Sequence, residues 1–565
     1  SLDTVIRFWS RYPQQPGIAV TRWETLHNIE LVFTSIPNHW EPTGKPLPEA
    51  DIVTKWLREC DEHDTCRNAC FGGASIPTRL IDLRPIDAGC DPRLQFATNL
   101  RGQRVDYVAL SYCWGTNMPQ KAKTTTVNIQ DRFVYGIPSS DLPPTLRDAI
   151  ELTRALGIRY IWIDAVCILQ DSESDWQSES AKMWQVYSAA RCTLAASASA
   201  DTEAGFPKYK FVDDLGPRSA LLSVQASASN KTTQRICVSR DSDLKNHSTV
   251  LFESQEPLQS RGWALQERHL SPRVVYFCKD RLVWECRSGA AASYYPWCPW
   301  SPLMPETLRV FDAGRSSGDF INGRGWEKLI QEYSRRNLTH KKDKIHAIES
   351  LISALDRPGK DQYVAGHWRS GLPSSLCWRH EMSPRGDPGG RNPKRAPTWS
   401  WVSMDSAISF FEVSQENMQV EILAARSETF RDPVIGVRYE GWIRLRAQLK
   451  RFELRTDSTK RSSPNYHPDG WLFDSDNPTR EADGYAFLDE PSGLVTDKAN
   501  LQEVLCLQLG HEGSRMSSNN GRFSTILALM LAPTEQEGHF RRVGVASSVF
   551  ADSFNSAAPS ILTLV

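Results

Sequence analysis

The chain has no run approaching the roughly 20 apolar residues that a membrane-crossing helix needs. Its longest candidate, Ile526–Leu531, is the size of a strand. It also lacks an excess of charge. Lys and Arg number 66 against 67 Asp and Glu, for a net charge of −1, so electrostatics favour neither nucleic acid nor an anionic membrane as partner. The opening SLDTVIRFWS lacks a basic stretch followed by an apolar run, so no signal peptide is expected. No GxxxxGK[ST] occurs, which excludes a P-loop, and no internal repeat is found. The 13 cysteines are odd in number and scattered. That fits reduced thiols in a cytoplasmic protein better than a disulfide framework.

What is present is an ordinary globular composition, 40% apolar and 24% charged, over 565 residues. That length suggests two or three domains, or one large elaborated one. Residues 1–100 read as an irregular, Pro-interrupted lead-in with one helix from Asp51 to about Cys70 and a short strand at LIDLRP (Leu80–Pro85). From Asp106 the period changes. DYVALSY (Asp106–Tyr112) is β-prone. TLRDAIELTRALG (Thr145–Gly157) has Leu146, Ala149, Ile150, Thr153 and Leu156 at helical spacing, with Gly157 as C-cap. IRYIWIDAVCI (Ile158–Ile168) is an almost continuous apolar run and reads as a buried central strand. Asp171, Ser172 or Ser174 can cap a helix from about Asp175 to Ala190, and CTLAASAS (Cys192–Ser199) is a further strand.

This alternation predicts an α/β fold, with a mostly parallel central sheet flanked by helices. A polar stretch, Asp201 to about His247, interrupts it. A helix at Leu258–Leu270 and a hairpin over Arg273–Cys286 follow, and the domain is expected to span 101–290. Residues 291–400 read as a helical connection, with helices at Trp326–Leu338 and Asp343–Leu355. Residues 401–565 read as a β-rich C-terminal region. In GWIRLRAQLK (Gly441–Lys450), Ile443, Leu445, Ala447 and Leu449 share one face. Asp457–Asp483 is polar and reads as a mobile loop.

Three blocks in order resemble the fungal heterokaryon-incompatibility (HET) family. They are YVALSYCWG (Tyr107–Gly115), the long stretch Leu142–Phe206 containing WIDAVCILQDSESDWQSES, and SRGWALQERHLSPRVVYF (Ser260–Phe277). Weaker echoes are YSRRNLTHKKDKIHAI (Tyr333–Ile348), YVAGHW (Tyr363–Trp368), PTWSWVS (Pro397–Ser403) and RRVGVA (Arg541–Ala546). The resemblance implies a role in fungal non-self recognition and programmed cell death. It also implies a distant likeness to Toll/interleukin-1 receptor (TIR) domains, some of which cleave NAD. NAD would then be a substrate, and no cofactor is expected. The partners implied are a second copy or an allelic protein.

TIR domains that cleave NAD carry their glutamate in a Trp-Cys-x-x-Glu stretch on the helix after a central strand. Here Trp176-x-x-Glu179 occupies that context, with Gln177 in place of the cysteine and the glutamate one position early. Cleaving the nicotinamide–ribose bond develops positive charge on the sugar, which a carboxylate in a water-poor site stabilises. The structural alternative is that Glu179 pairs with Lys182 at i+3. In RGWALQE, Arg261 suits a phosphate, with Gln266 and Glu267 beside it. The alternative is that Arg261 and Glu267 form a polar network under Trp263. WIDAVCILQ supplies Asp164, Cys167 and Gln170 where an open sheet binds ligands, at strand carboxyl ends. Asp164, placed in an apolar strand, needs hydrogen-bond partners. Cys167 is a nucleophile only if a histidine lowers its pKa, His269 being nearest, and otherwise packs as an apolar residue. Ser111, Cys113 and Trp114 end the first strand, and Trp114 can stack on a base or simply pack.

CDEHDTCRNAC brings Cys60, His63, Cys66 and Cys70, all zinc-type ligands. Their spacing places them on one stripe of one helix, and a straight helix cannot supply a tetrahedron. The stretch is therefore read as helix packing and no metal is expected. Two further function classes stay open. One is a non-enzymatic, self-associating signalling module. The other is a secondary-metabolite enzyme on this scaffold, which a deep apolar pocket enclosed by the C-terminal region would favour.

Overall fold

The computed structural model describes residues 20–23, 31–36, 49–68, 76–84, 91–100, 105–209, 219–227, 230–240, 256–279, 281–292, 324–356, 361–381, 390–413, 417–432, 436–456, 468–474, 482–489, 501–516 and 522–565. The chain divides into two compact units, Ser1–Arg309 and Val310–Val565. Among the described residues, no helix is long and apolar enough to cross a membrane.

The first unit is α/β. It opens with β1 (Val20–Trp23), β2 (Leu31–Ile36), α1 (Glu49–Asp61), α2 (Asp64–Asn68), β3 (Arg79–Asp82) and β4 (Arg93–Phe96). The core follows as β5 (Tyr107–Ser111), α3 (Ile129–Val134), α4 (Pro144–Ala155), β6 (Tyr160–Trp162), α5 (Asp164–Cys167), α6 (Glu173–Ser180), α7 (Met183–Ala189) and β7 (Cys192–Ala195). After β8 (Ser219–Ser227) and β9 (Asn230–Arg240) come α8 (Gly262–Leu270), β10 (Arg273–Phe277), β11 (Leu282–Cys286) and β12 (Gly289–Ala292). Eight strands form one mixed sheet in the order β12-β11-β10-β7-β5-β6-β3-β4. The inner four run parallel, and the outer pairs are antiparallel. All residues of β5, β6, β7 and β10 are buried, as expected of parallel strands covered on both faces. A second sheet takes the order β1-β2-β9-β8.

Several sequence expectations change. Within the lead-in over 1–100, β3 and β4 extend the main sheet, while β2 pairs with β9, a strand inside the stretch 201–247, and β1 pairs with β2. The strand expected over Ile158–Ile168 stops at Trp162, and the chain coils into the single turn α5. The helix expected from Asp51 to Cys70 breaks after Asp61 and restarts at Asp64; Cys70 lies outside the described residues. The helix expected over Asp175–Ala190 is two, α6 and α7. The first is capped by Ser172, whose hydroxyl accepts from the Asp175 N–H.

The second unit carries α9 (Gly325–Ser334), α10 (His346–Leu355), β13 (Tyr363–Val364), β14 (His367–Trp368), α11 (Leu372–Ser375), β15 (Trp378–His380) and β16 (Ile408–Phe410). Its β-rich part is β17 (Glu421–Asp432), β18 (Gly436–Thr456), β19 (Gly470–Phe473), β20 (Gly484–Leu488), β21 (Leu501–Met516), β22 (Arg522–Pro533), β23 (His539–Phe550) and β24 (Pro559–Leu564). The order β17-β18-β19-β20-β23-β22-β21 returns on itself, because β21 also pairs with β18. The result is a closed antiparallel barrel, which leaves no free edge along that ring. Phe452, Leu454, Leu472, Leu488, Ile526, Met530 and Val549 fill it. The expected alternation over 441–450 holds, with Ile443, Leu445 and Ala447 buried. The loop expected over Asp457–Asp483 is interrupted by β19, with Asp474 and Asp483 buried.

Tryptophans build the other half of this unit. The Gly366 carbonyl accepts from Nε1 of both Trp326 (2.9 Å) and Trp401 (2.7 Å). Gly366 has φ +102°, and a Cβ there would stand 2.8 Å from Trp401 Nε1, so only glycine lets that backbone turn reach both indoles. Beside it, His367 is fully buried and donates to or accepts from Ser375 Oγ at 2.8 Å. Burial, with the Arg542 charge nearby, pushes its pKa down to about 3. The unfolded chain therefore takes up a proton below about pH 6.5 that the folded chain refuses, and stability falls as pH drops through that value. Replacing His367 by Asn should flatten this dependence. Urea unfolding should show the parent losing roughly 1 kcal/mol more than His367→Asn between about pH 6.5 and 5.5. Parallel pH profiles would refute the assignment.

Candidate functional site

The parallel strands follow the order β6-β5-β7-β10. The chain leaves β5 to one side for β6 and then crosses to the other side for β7. This makes the carboxyl end of β5 a topological switch point, the place where open α/β sheets hold ligands. Ser111, Tyr112, Cys113 and Trp114 lie there because β5 ends at Ser111 and the chain turns away at Gly115. Gly115 has φ +69°, and a Cβ on it would meet Asp201 Cβ at 2.4 Å.

Asp164 occupies the centre of this edge. It is not within a strand but opens the turn α5, which lets its carboxylate collect the partners its position demands. Oδ1 accepts from the Tyr112 hydroxyl (2.8 Å) and the Ala165 N–H (2.7 Å), and Oδ2 accepts from Trp114 Nε1 (2.9 Å). Burial still raises its pKa above the ordinary carboxyl value, against the pull of Tyr112 and of Arg261. The Tyr112 hydroxyl is raised too, by burial and then by the Asp164 charge. Arg261 donates to the Tyr112 carbonyl. Lys123 Nζ lies 5.5 Å from the Trp114 ring centre. Gln170 Nε2 donates to the carbonyls of Asp164 and Ile168, both at 3.0 Å, and so closes the α5 turn.

The α8 helix caps the same edge. Glu267 is buried and accepts from the Ser111 hydroxyl. Gln266 is fully buried, with Nε2 at 3.9 Å from Met183 Sδ and Oε1 without a hydrogen-bond partner among the described residues. Trp263 meets Trp176 edge-on at 6.4 Å, joining α8 to α6. Cys113 is pushed up to about 11, mainly by burial.

Glu179 sits on α6, 3% exposed. Its Oε1 accepts from the Thr78 hydroxyl (2.7 Å) and from Lys182 Nζ (3.0 Å). The pairing with Lys182 at i+3 is present, yet the carboxylate is enclosed rather than solvated. Thr78 immediately precedes β3, whose start is level with the carboxyl end of β6, so Glu179 belongs to the same sheet edge. Arg79 anchors the intervening chain by donating to the Cys167 carbonyl (2.6 Å) and to Asp175 (2.5 Å). Cys167 lies where the charges of both Asp164 and Glu179 reach it. Burial above all pushes it up to about 12, so it stays a thiol at neutral pH. His269 bonds the Leu265 carbonyl at 3.0 Å.

The structure thus gathers Ser111, Cys113, Trp114, Asp164, Arg261 and Glu267 at one edge, with Glu179 and Trp176 on the flanking helix. Sequence reasoning missed Tyr112, Thr78 and Lys123. Tyr112 was visible within the YCWG block, whereas Thr78 carries no local signal. In the second unit a cavity of about 490 Å³ is lined by Lys394, Asp432, Arg438 and Glu440 among others. The lining mixes these charged residues with Pro393, Ala396, Pro397, Tyr439 and Val565.

Residues 107–267 match the family model described as Heterokaryon incompatibility protein (HET), so the chain carries a HET domain over β5 to α8. No curated protein and no solved structure matches the chain.

Proposed function

We propose that this chain is a cell-death effector of fungal heterokaryon incompatibility whose HET domain cleaves NAD at the nicotinamide–ribose bond. Glu179 is the catalytic carboxylate in this reading. One observation carries it: a carboxylate only 3% exposed at the sheet's carboxyl edge, held through one oxygen by Thr78 and Lys182. The strand order β6-β5-β7-β10 supports it as well, since it makes this edge a topological switch point, where open α/β sheets hold ligands.

Water adds to the ribose C1′ as the C–N bond breaks. Nicotinamide leaves with the bonding pair, and ADP-ribose and a proton are released. The ribose is most positive midway, where a fixed carboxylate lowers the barrier. Trp114 offers a ring face for a base and Arg261 a fork for a phosphate. The test is nicotinamide release from NAD by the purified full chain over rising protein concentration, beside viability of a fungal host expressing it. Absence of turnover at every concentration sinks the hydrolase. Death with NAD intact moves the function to a self-associating module.

A further inference from the structure

In the edge hairpin of the main sheet, β11 ends at Cys286, just before the turn into β12, against the break between α1 and α2. Three side chains from that helix pair meet it there. Sγ of Cys60, Cys66 and Cys286 and a ring nitrogen of His63 all lie within 4.8 Å of one another. Cys60 is in the last turn of α1, His63 stands in the break, and Cys66 is on α2. The break supplies what a straight helix cannot: it turns His63 and Cys66 toward a fourth ligand on another element.

The distances fit one ion. His63 Nδ1 is 3.7 Å from Cys66 Sγ and 3.7 Å from Cys286 Sγ. A tetrahedral zinc ion holds sulfur at about 2.3 Å and nitrogen at about 2.0 Å, which separates the two atoms by about 3.5 Å. Ligand atoms this close together suit a single ion rather than an iron–sulfur cluster, whose bridging sulfides spread the cysteines apart.

A second ring of donors addresses the sulfurs. Arg273 Nε donates to Cys60 Sγ (3.2 Å) and the Ser288 N–H to Cys286 Sγ (3.4 Å), while Ser288 Oγ lies 3.5 Å from Cys66 Sγ. The three cysteines are at most 2% exposed. Donors aimed at buried sulfur favour thiolate, and thiolates gathered at one point need a cation between them. Plain apolar packing would need no such donors, and a disulfide would leave the third thiol and the histidine without a role.

We propose that Cys60, His63, Cys66 and Cys286 form a structural zinc site that fastens α1 and α2 to the edge hairpin. All four positions are filled by protein, which makes the site structural rather than catalytic. Its consequence is to fix α1, whose Trp56 lies 6.1 Å from Trp284 on β11, against the sheet.

The test uses the full chain, expressed with zinc in the medium and purified without chelator. Elemental analysis should find about one zinc per chain, falling to background in Cys66→Ser and Cys286→Ser. To separate loss of metal from loss of fold, the parent chain is also exchanged with cobalt(II). It should then show visible bands of tetrahedral cobalt with thiolate-to-cobalt charge transfer. His63→Cys should keep the metal and His63→Ala should lose it. A folded, metal-free parent that gives no cobalt spectrum overturns the site. So does a disulfide between any two of the three cysteines, or iron with acid-labile sulfide.

Discussion

Glu179→Gln is expected to abolish nicotinamide release, lowering turnover by roughly two to four orders of magnitude, with the unfolding transition unmoved. The substitution is chosen for its shape. Glutamine keeps an oxygen where Oε1 now accepts from Thr78 and Lys182, so the side chain stays held, but the negative charge is gone. If Glu179 serves only as an ion-pair partner, turnover survives and the loss is confined to stability. The exposed half of that pair is small in its own right, because Lys182 is 43% exposed and such pairs contribute under about 1 kcal/mol. Lys182→Met is the matching control: it should leave turnover within a few-fold of the parent. Retained activity in Glu179→Gln would move the carboxylate role to Asp164 or Glu267, the other two acids at this edge.

How far these arrangements could be read from the residues depends on how local their causes are. The α/β core was legible because its signals are periodic and short-range: short, largely apolar runs for β5 and β7, a 3.6-residue repeat with Gly157 closing it for α4. The reading overran at Ile158–Ile168 because an unbroken apolar run is equally at home in a strand or in a buried helical turn. Only the packing of Asp164 under Tyr112 and Trp114 makes the chain coil there. The same limit applies to Asp51–Cys70, where apolar spacing runs smoothly across a break at Glu62 and His63. Cys286, distant in sequence, completes the cluster that the break opens, and no local pattern announces it. Closure of the barrel is likewise a long-range event, resting on β21 finding β18.

Removing Asp489 should unfold the second unit more than any apolar truncation of similar size. Asp489 is 4% exposed and takes bonds from two arginines. Arg542 donates through Nε (3.0 Å) and a terminal nitrogen (3.1 Å), and Arg391 donates at 2.5 Å. Arg542 is 1% exposed, lies 3.3 Å over the Trp378 ring, and also donates to the carbonyls of Leu376 (2.7 Å) and Trp378. It links β23 to the α11–β15 segment, and burial lowers its pKa against the pull of Asp489. In Asp489→Ala the guanidinium stays in place, charged and surrounded by protein, with its counter-charge removed. Breaking one partner of such a pair costs about 3–5 kcal/mol, well beyond the loss of a surface contact. Arg542→Met removes the charge but strands two carbonyls, so it should cost less per charge and more per hydrogen bond. The decisive measurement is the double variant Asp489→Ala, Arg542→Met. Its loss in chemical unfolding of the full chain should fall well short of the sum of the single losses, because the second substitution removes the unpaired charge created by the first. Additive losses would mean that Asp489 acts through Arg391 alone and that Arg542 is held by the Trp378 ring and the two carbonyls.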